Sequence, residues 1–298
     1  MVFDLVLILV YILFNLDNSF FLNLKKNMKI SDFIENNKII CVTHGGIMHA
    51  DDLCSAALIS VLTPKEVEVN IIRIGRDIKA EDIPSNALVF DVLNGEFDHH
   101  DDDQTKIDGR KLASFGKLFR AFKEDILKSY NLDEEAWKNI DQNFVKYIDH
   151  TDNTGEMNPY NYMTNCISHV ANNPVGDETF KAIMSTIIIQ LTAMFRFEAQ
   201  GAKDRRILAS LPKVVIKNKV FLYKSEPGYI QVPQNLEGVS GVIICMGEDS
   251  TQGIFMVKMT NGETLSKKGL RNEGDIVFTH PNGFMGKMNT FSAVCDCI

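Results

Sequence analysis

The stretch Lys38-Ile-Ile-Cys-Val42 is β-branched and apolar on both faces, and it runs into Thr43-His44-Gly45-Gly46. That pattern predicts a buried strand leaving into a loop. From Ala50 to Leu62, the residues Leu53, Ala56, Ala57, Leu58, Val61 and Leu62 recur at helical spacing. Val67 to Ile74 and Ala87 to Val92 repeat the strand pattern. Strand, helix, strand and strand in this order predict an α/β fold, a parallel sheet with helices on both faces. Two amphipathic helices are expected at Leu112–Tyr130 and Asp133–Tyr147, and one long helix over Glu178–Leu211. Short strand-like runs with Gly and Asn turns follow, at Val220–Tyr223, Val242–Met246 and Ile254–Met259. The segment Asn172-Asn-Pro-Val-Gly-Asp177 is the clearest boundary signal. The expected organisation is an extension at 1–27, an α/β domain at 28–172 and a smaller α+β domain at 173–298.

A chain of 298 residues can bury a sizeable core without disulfide or metal staples. Its 45% apolar and 23% charged residues exclude a disordered or collagen-like chain. With 31 Lys and Arg against 39 Asp and Glu, the net charge is −8. Such a chain does not gather nucleic acid through its overall field, so a polyanionic substrate has to be met by local cations or metals. The six cysteines (Cys41, Cys54, Cys166, Cys245, Cys295, Cys297) contain no Cys-x-x-Cys pair and read as reduced thiols. Leu5 to Phe14 is a run of ten apolar residues, against about 20 for a bilayer span. Asp4 stands where a signal peptide carries positive charge, and Lys25 and Lys26 follow the run. Residues 1–27 therefore read as an extension or an upstream start before Met28, with a membrane anchor or an atypical signal as the alternatives. A cytoplasmic protein is expected, nuclear or mitochondrial being the eukaryotic variants, with no stable membrane partner; homo-oligomerisation stays open.

Five of the seven histidines fall in short motifs at the ends of expected elements. These are Thr43-His44-Gly-Gly-Ile-Met-His49-Ala-Asp51-Asp52, Phe97-Asp98-His99-His100 and Tyr147-Ile-Asp149-His150-Thr-Asp152-Asn153, with Phe90-Asp91-Val92 closing the third strand. In a parallel sheet the carboxyl ends of the strands share one rim, where open α/β proteins bind ligands. Imidazoles and carboxylates gathered there without a thiolate suit Mn²⁺, Mg²⁺, Fe²⁺ or Zn²⁺. His44, His49, Asp51, Asp91, His99 and Asp149 are more ligands than one tetrahedral ion needs, and a two-metal site uses them better. Other chemistries fit less well. Gly283-Phe-Met-Gly286-Lys287 has the wrong spacing for a P-loop. Cys41 and Cys54 lie in apolar runs and read as core rather than as nucleophiles.

The combined pattern resembles the DHH phosphoesterase superfamily, whose tripeptide appears here as Asp98-His99-His100. Within it, the chain is most similar to the metal-dependent hydrolase family typified by the melanocyte-proliferating-gene exonuclease. The features shared are the His44–Asp52 motif, Glu96-Phe-Asp-His-His100, Ser114-Phe-Gly116, Ile148-Asp149-His-Thr-Asp152-Asn153 and Val277-Phe-Thr-His-Pro-Asn-Gly-Phe-Met-Gly286. The resemblance implies a DHH-type catalytic domain, a C-terminal substrate-binding lid and an active site in the cleft between them. It implies two divalent ions, Mn²⁺ first among them, and phosphodiester hydrolysis by a metal-bridged hydroxide. One ion would take His44, His49 and Asp91; the other Asp51, Asp91, His99 and Asp149, with Asp152 as the alternative to Asp149. His100 would face the substrate phosphate, with Asp98 behind it. The substrate implied is RNA or a short oligonucleotide cut from its 3′ end. A small phosphoanhydride or cyclic dinucleotide is the alternative, and a catalytically silent metal-binding regulator a further one. Lys267, Lys268, Arg271 and His280 are the substrate-binding candidates of the C-terminal domain. The other basic groups, Arg110-Lys111 among them, read mostly as solvated surface.

Overall fold

The computed structural model describes residues 28–75, 77–100, 106–107, 109–156, 176–247, 253–266 and 273–298. Residues 1–27, His169, and Lys267, Lys268 and Arg271 lie outside them. So does most of the boundary signal at Asn172–Asp177. The chain divides into two compact units, Met1–Ala199 and Gln200–Ile298, so the division falls inside a helix.

In the first unit, β1 (Ile34–Glu35) turns through Asn36 and Asn37, at φ 51° and 58°, into β2 (Lys38–His44). Asparagine tolerates that left-handed conformation, which a two-residue hairpin requires. β2 buries Ile39, Cys41, Val42 and Thr43, as a strand covered on both faces must. β3 (Glu68–Ile74) runs parallel to all of β2, from Lys38 opposite Glu68 to His44 opposite Ile74. The connecting helix α1 (Ala50–Leu62) is buried nearly all round. β4 (Leu88–Val89) joins the other edge of β2 in parallel, Val42 opposite Val89. That register brings His44 and Asp91, each two residues further on, to one rim.

The expected strand at Ala87–Val92 is shorter than its apolar pattern suggests. The backbone turns through positive φ at Asp91 (57°), Leu93 (66°) and Asn94 (51°), which ends the pairing. A small hairpin, β5 (Lys106–Ile107) and β6 (Arg110–Lys111), follows. The helix expected at Leu112–Tyr130 is two: α2 (Ser114–Ala121) and α3 (Lys123–Tyr130), broken at Phe122. Phe122 leaves helical geometry with its ring buried near those of Phe33 and Phe97. The second expected helix runs further than predicted. α4 (Glu134–Ile140), capped by Asp133, passes through a π turn at Asp141–Val145 into α5 (Lys146–Thr154). Trp137 stacks on Phe119.

The helix α6 (Asp177–Ser210) is long and apolar enough to cross a membrane by length and composition, a property shared by core helices. Within the first unit its Phe180, Ile187, Leu191 and Phe195 form one buried stripe. In the second unit, β7 (Lys213–Ile216), β8 (Lys219–Lys224), β9 (Gly241–Cys245), β10 (Phe255–Met259), β11 (Ile276–Thr279) and β12 (Met285–Met288) form one sheet. Its order is β11-β12-β10-β9-β8-β7, antiparallel except where β8 meets β9. The short helix α7 (Phe291–Cys297) closes one face over Phe221, Ile243, Val257 and Met288.

Candidate metal centre

Three strand and loop ends and two helices of the first unit supply the site. His44 ends β2, and Gly45 next to it donates its N–H to the Ile74 carbonyl at 2.6 Å, tying the rim to β3. A Cβ on Gly45 would lie 3.1 Å from that carbonyl oxygen, so the rim there closes on a residue without a side chain. His49 precedes α1, and Asp52 Oδ1 accepts its N–H at 2.8 Å, satisfying an orphan donor of the helix start. The spacing from His49 to Asp52 is thus partly a helix-start signature. Asp51 is fully buried and accepts the N–H groups of Ser114 (3.1 Å) and Phe115 (2.7 Å) at the start of α2.

Asp91 is the centre of the arrangement. Its Oδ2 lies 3.0 Å from His44 Nε2 and its Oδ1 3.1 Å from His99 Nε2. His99 Nε2 also lies 3.0 Å from Asp152 Oδ2 and 3.6 Å from Asp51 Oδ2. His49 Nδ1 is 4.0 Å from Asp152 Oδ1. Among the described residues, three groups therefore converge closely enough to hold an ion: His44, His49 and Asp91; Asp91, His99 and His100; and Asp51, His99 and Asp152. His100, half exposed, is held through Nδ1 by Asp98 Oδ1 at 2.7 Å. Asp98 in turn accepts the backbone N–H groups of Asn94 (2.8 Å) and His100 (3.1 Å).

Asp149 is not part of this convergence, although it is the ligand that the resemblance implies. Its Oδ1 accepts the Ala113 N–H at 3.1 Å, and Arg110 Nε lies 3.6 Å from its Oδ2. The carboxylate turned to the centre is that of Asp152, one helical turn on. Arg110 is itself a correction. Its guanidinium is largely buried and pairs with Asp141 at 2.5 Å, and Arg120 reaches the other oxygen of Asp141 at 3.1 Å. Asp141 and Arg120 sit in helical runs with no distinguishing spacing, so nothing in the sequence marks them. Arg73, also missed, donates to the Gly46 carbonyl at 2.9 Å and so braces the loop between His44 and His49. His280 lies in the second unit, its ring against Phe284 and its Nδ1 accepting the Asn282 N–H.

The electrostatics are those of a site short of positive charge. Burial pushes Asp52 up to about 7 and Asp51 well above the carboxylate range. Burial also acts against Asp91, but contact with His44 and His99 holds its carboxyl below the usual range. The same burial lowers His44 and His99, yet Asp91 and Asp52 carry His44 up to about 9, and Asp152 and Asp91 carry His99 to about 11. For His49, burial dominates and its pKa falls. Despite these short separations, His44 Nε2, His99 Nε2, Asp52 Oδ2 and both oxygens of Asp91 are buried without a hydrogen bond. Buried polar atoms left in that state are costly, and the usual resolution for buried anions is a cation or a metal. Nitrogen and oxygen donors converging without hydrogen-bond geometry fit divalent metal ions.

Residues 40–187 match the family model MYG1_exonuc, described as Uncharacterised protein family (UPF0160). The match supports the MYG1 family. The span takes in every residue of the centre described above. No curated protein and no solved structure matches the chain. The family's name points to an exonuclease, and the clustered imidazoles and carboxylates could bind metal ions.

Proposed function

We propose that the protein is a divalent-metal-dependent phosphodiester hydrolase of the DHH type, trimming RNA or short oligonucleotides from the 3′ end. The observation that carries this is Asp91, a buried carboxylate whose two oxygens address two histidines on opposite sides. His44, His49 and Asp91 would hold one ion, and Asp51, His99 and Asp152 a second, with Asp91 shared. Mn²⁺ suits this mixture of imidazole and carboxylate. Bound ions of this kind supply a water of lowered pKa and charge for the oxygens of a phosphoryl group.

The protein's own groups do the rest. Asp98 fixes the orientation of His100 through Nδ1, which leaves Nε2 as the outward-facing nitrogen. His100 Nε2 is then placed to meet a non-bridging oxygen of the substrate, where negative charge grows during attack. The hydrogen bonds from Ser114 and Phe115 hold Asp51 in a single orientation at the centre.

The test is an RNA oligomer labelled in turn at each end, incubated with purified protein and Mn²⁺ or EDTA. Progressive shortening from the 3′ end with Mn²⁺, lost with EDTA and in Asp91→Asn, is expected. No Mn²⁺-dependent cleavage of RNA, DNA, dinucleotides or pyrophosphate would overturn the reading.

A further inference from the structure

The two faces of the β7–β12 sheet are unequally covered. One is closed by α7. On the other, Leu208, Ile230 and Val239 pack with Leu222, Val242, Ile244 and Met256, so the cover reaches β10 and leaves β12 and β11 beyond it. Residues paired across antiparallel strands share a face. Met256 pairs with Lys287, and Lys287 with Phe278, so the three stand in one row across β10, β12 and β11. Lys258, opposite Met285, stands in the next row. Their neighbours Val257 and Met288 belong to the α7 side, which fixes the alternation. Phe278 is 41% exposed and Tyr229 54%. Lys258 Nζ sits 4.4 Å from the centre of the Tyr229 ring and 2.6 Å from its hydroxyl.

This end of the face therefore offers two ammonium groups beside two accessible rings. β10, β11 and β12 contain no acidic residue, in a chain of net charge −8. A uniformly apolar face would suit a hydrophobic partner, and a uniformly basic one any polyanion. Rings interleaved with lysines are the composition that holds a single strand, since bases stack on the rings while ammonium groups meet phosphates. We infer that this face of the second unit is a sequence-tolerant binding surface for single-stranded nucleic acid. Phe278 and Tyr229 are its stacking platforms, and Lys258 and Lys287 its phosphate contacts. The inference deepens the nuclease reading and rests on it.

The test uses the full-length protein in EDTA and fluorescently labelled uridine and thymidine 12-mers, read by anisotropy. Phe278→Ala should bind about tenfold more weakly, the loss of one stacked base. Lys258→Ala with Lys287→Ala should reduce the slope of log K against log salt by about 1.4, roughly 0.7 per phosphate contact. Phe278→Leu keeps apolar bulk without a ring and should lose binding like Phe278→Ala while its circular dichroism matches the wild type. Mn²⁺-dependent hydrolysis of a nitrophenyl ester of thymidine monophosphate should be unchanged in all three. Wild-type affinity and salt slope in these variants would overturn the surface, and cleavage by them would still leave the metal centre standing. Binding that responds to the variants in a protein that never cleaves would retain the surface and remove the nuclease reading.

Discussion

Asp91 occupies a left-handed backbone conformation that non-glycine residues seldom adopt, held by its N–H to the Phe97 carbonyl at 3.3 Å. The turn is what aims one carboxylate at both His44 and His99. The division of labour on α5 is as specific. Asp152 meets His99, whereas Asp149 meets Arg110 and the Ala113 N–H. Asp152→Asn is therefore expected to lose about one Mn²⁺ per chain by elemental analysis, with little change in melting temperature. Asp149→Ala should keep the metal and melt about 5–10 °C lower, because it removes the carboxylate beside the buried Arg110 Nε and the acceptor of the Ala113 N–H. The opposite pattern would restore Asp149 as the ligand. The pH dependence has a definite sign. His44, at about 9, and His99, at about 11, hold protons at neutrality before an ion binds, and so in part does Asp52, at about 7. Ligands must be deprotonated, so metal binding should release protons and tighten as pH rises from 6 to 9. Calorimetric titration with Mn²⁺ in two buffers of different ionisation enthalpy checks this; equal heats in both would mean no proton release.

At the scale of elements, the start of α2 joins the two sides of the site. Its N–H groups at Ser114 and Phe115 go to Asp51, and the neighbouring Ala113 N–H goes to Asp149. The positive end of the helix favours both carboxylates. Gly116 lets the helix approach, for a Cβ there would come within 2.7 Å of Asp149 Cγ. Gly116→Ala should therefore displace α2 from Asp51 and α5. An overpacking loss of about 1–3 kcal/mol in denaturant titration, with weakened Mn²⁺ affinity, is expected; unaltered affinity would separate α2 from the metal centre. What the sequence makes legible follows from the same elements. β2 and α1 are readable because burial on nearly every side makes them apolar runs, bounded by Thr43-His44-Gly45-Gly46 and by turns; β3, of which only Ile74 is buried, is readable by its β-branched residues. His44 and Asp91 are readable because they follow such runs on one rim. Asp149 and Asp152 are not separable in sequence, since both lie on one helical turn and the choice is made by Arg110, more than thirty residues away. The break at Phe122 and the π turn at Asp141–Val145 are equally hidden, because tertiary packing rather than local propensity sets them.

For the whole molecule, the centre packs three buried carboxylates close together, an arrangement that a bound cation would make favourable. Asp51, Asp52 and Asp91 are all at most 1% exposed, and three atoms of Asp52 and Asp91 lack hydrogen bonds. The unfolded chain returns these carboxylates to water and disperses the ligand set, so an ion binds the native state preferentially. Linkage then converts occupancy into stability: at a free concentration one hundred times the dissociation constant, a single site adds about 2.7 kcal/mol. For a chain of this size that corresponds to a rise of about 5–10 °C in melting temperature. Scanning calorimetry in EDTA and in Mn²⁺ should show that difference, and Mn²⁺ added back after EDTA should recover it. Mg²⁺ at equal concentration should stabilise less, because imidazole ligands favour Mn²⁺ over the harder ion. Asp91→Asn should abolish the Mn²⁺ response, since it removes the carboxylate shared by both ligand groups. Equal melting in EDTA and Mn²⁺ would mean that the buried carboxylates are relieved by protonation instead, and the two-metal centre would fall with that result.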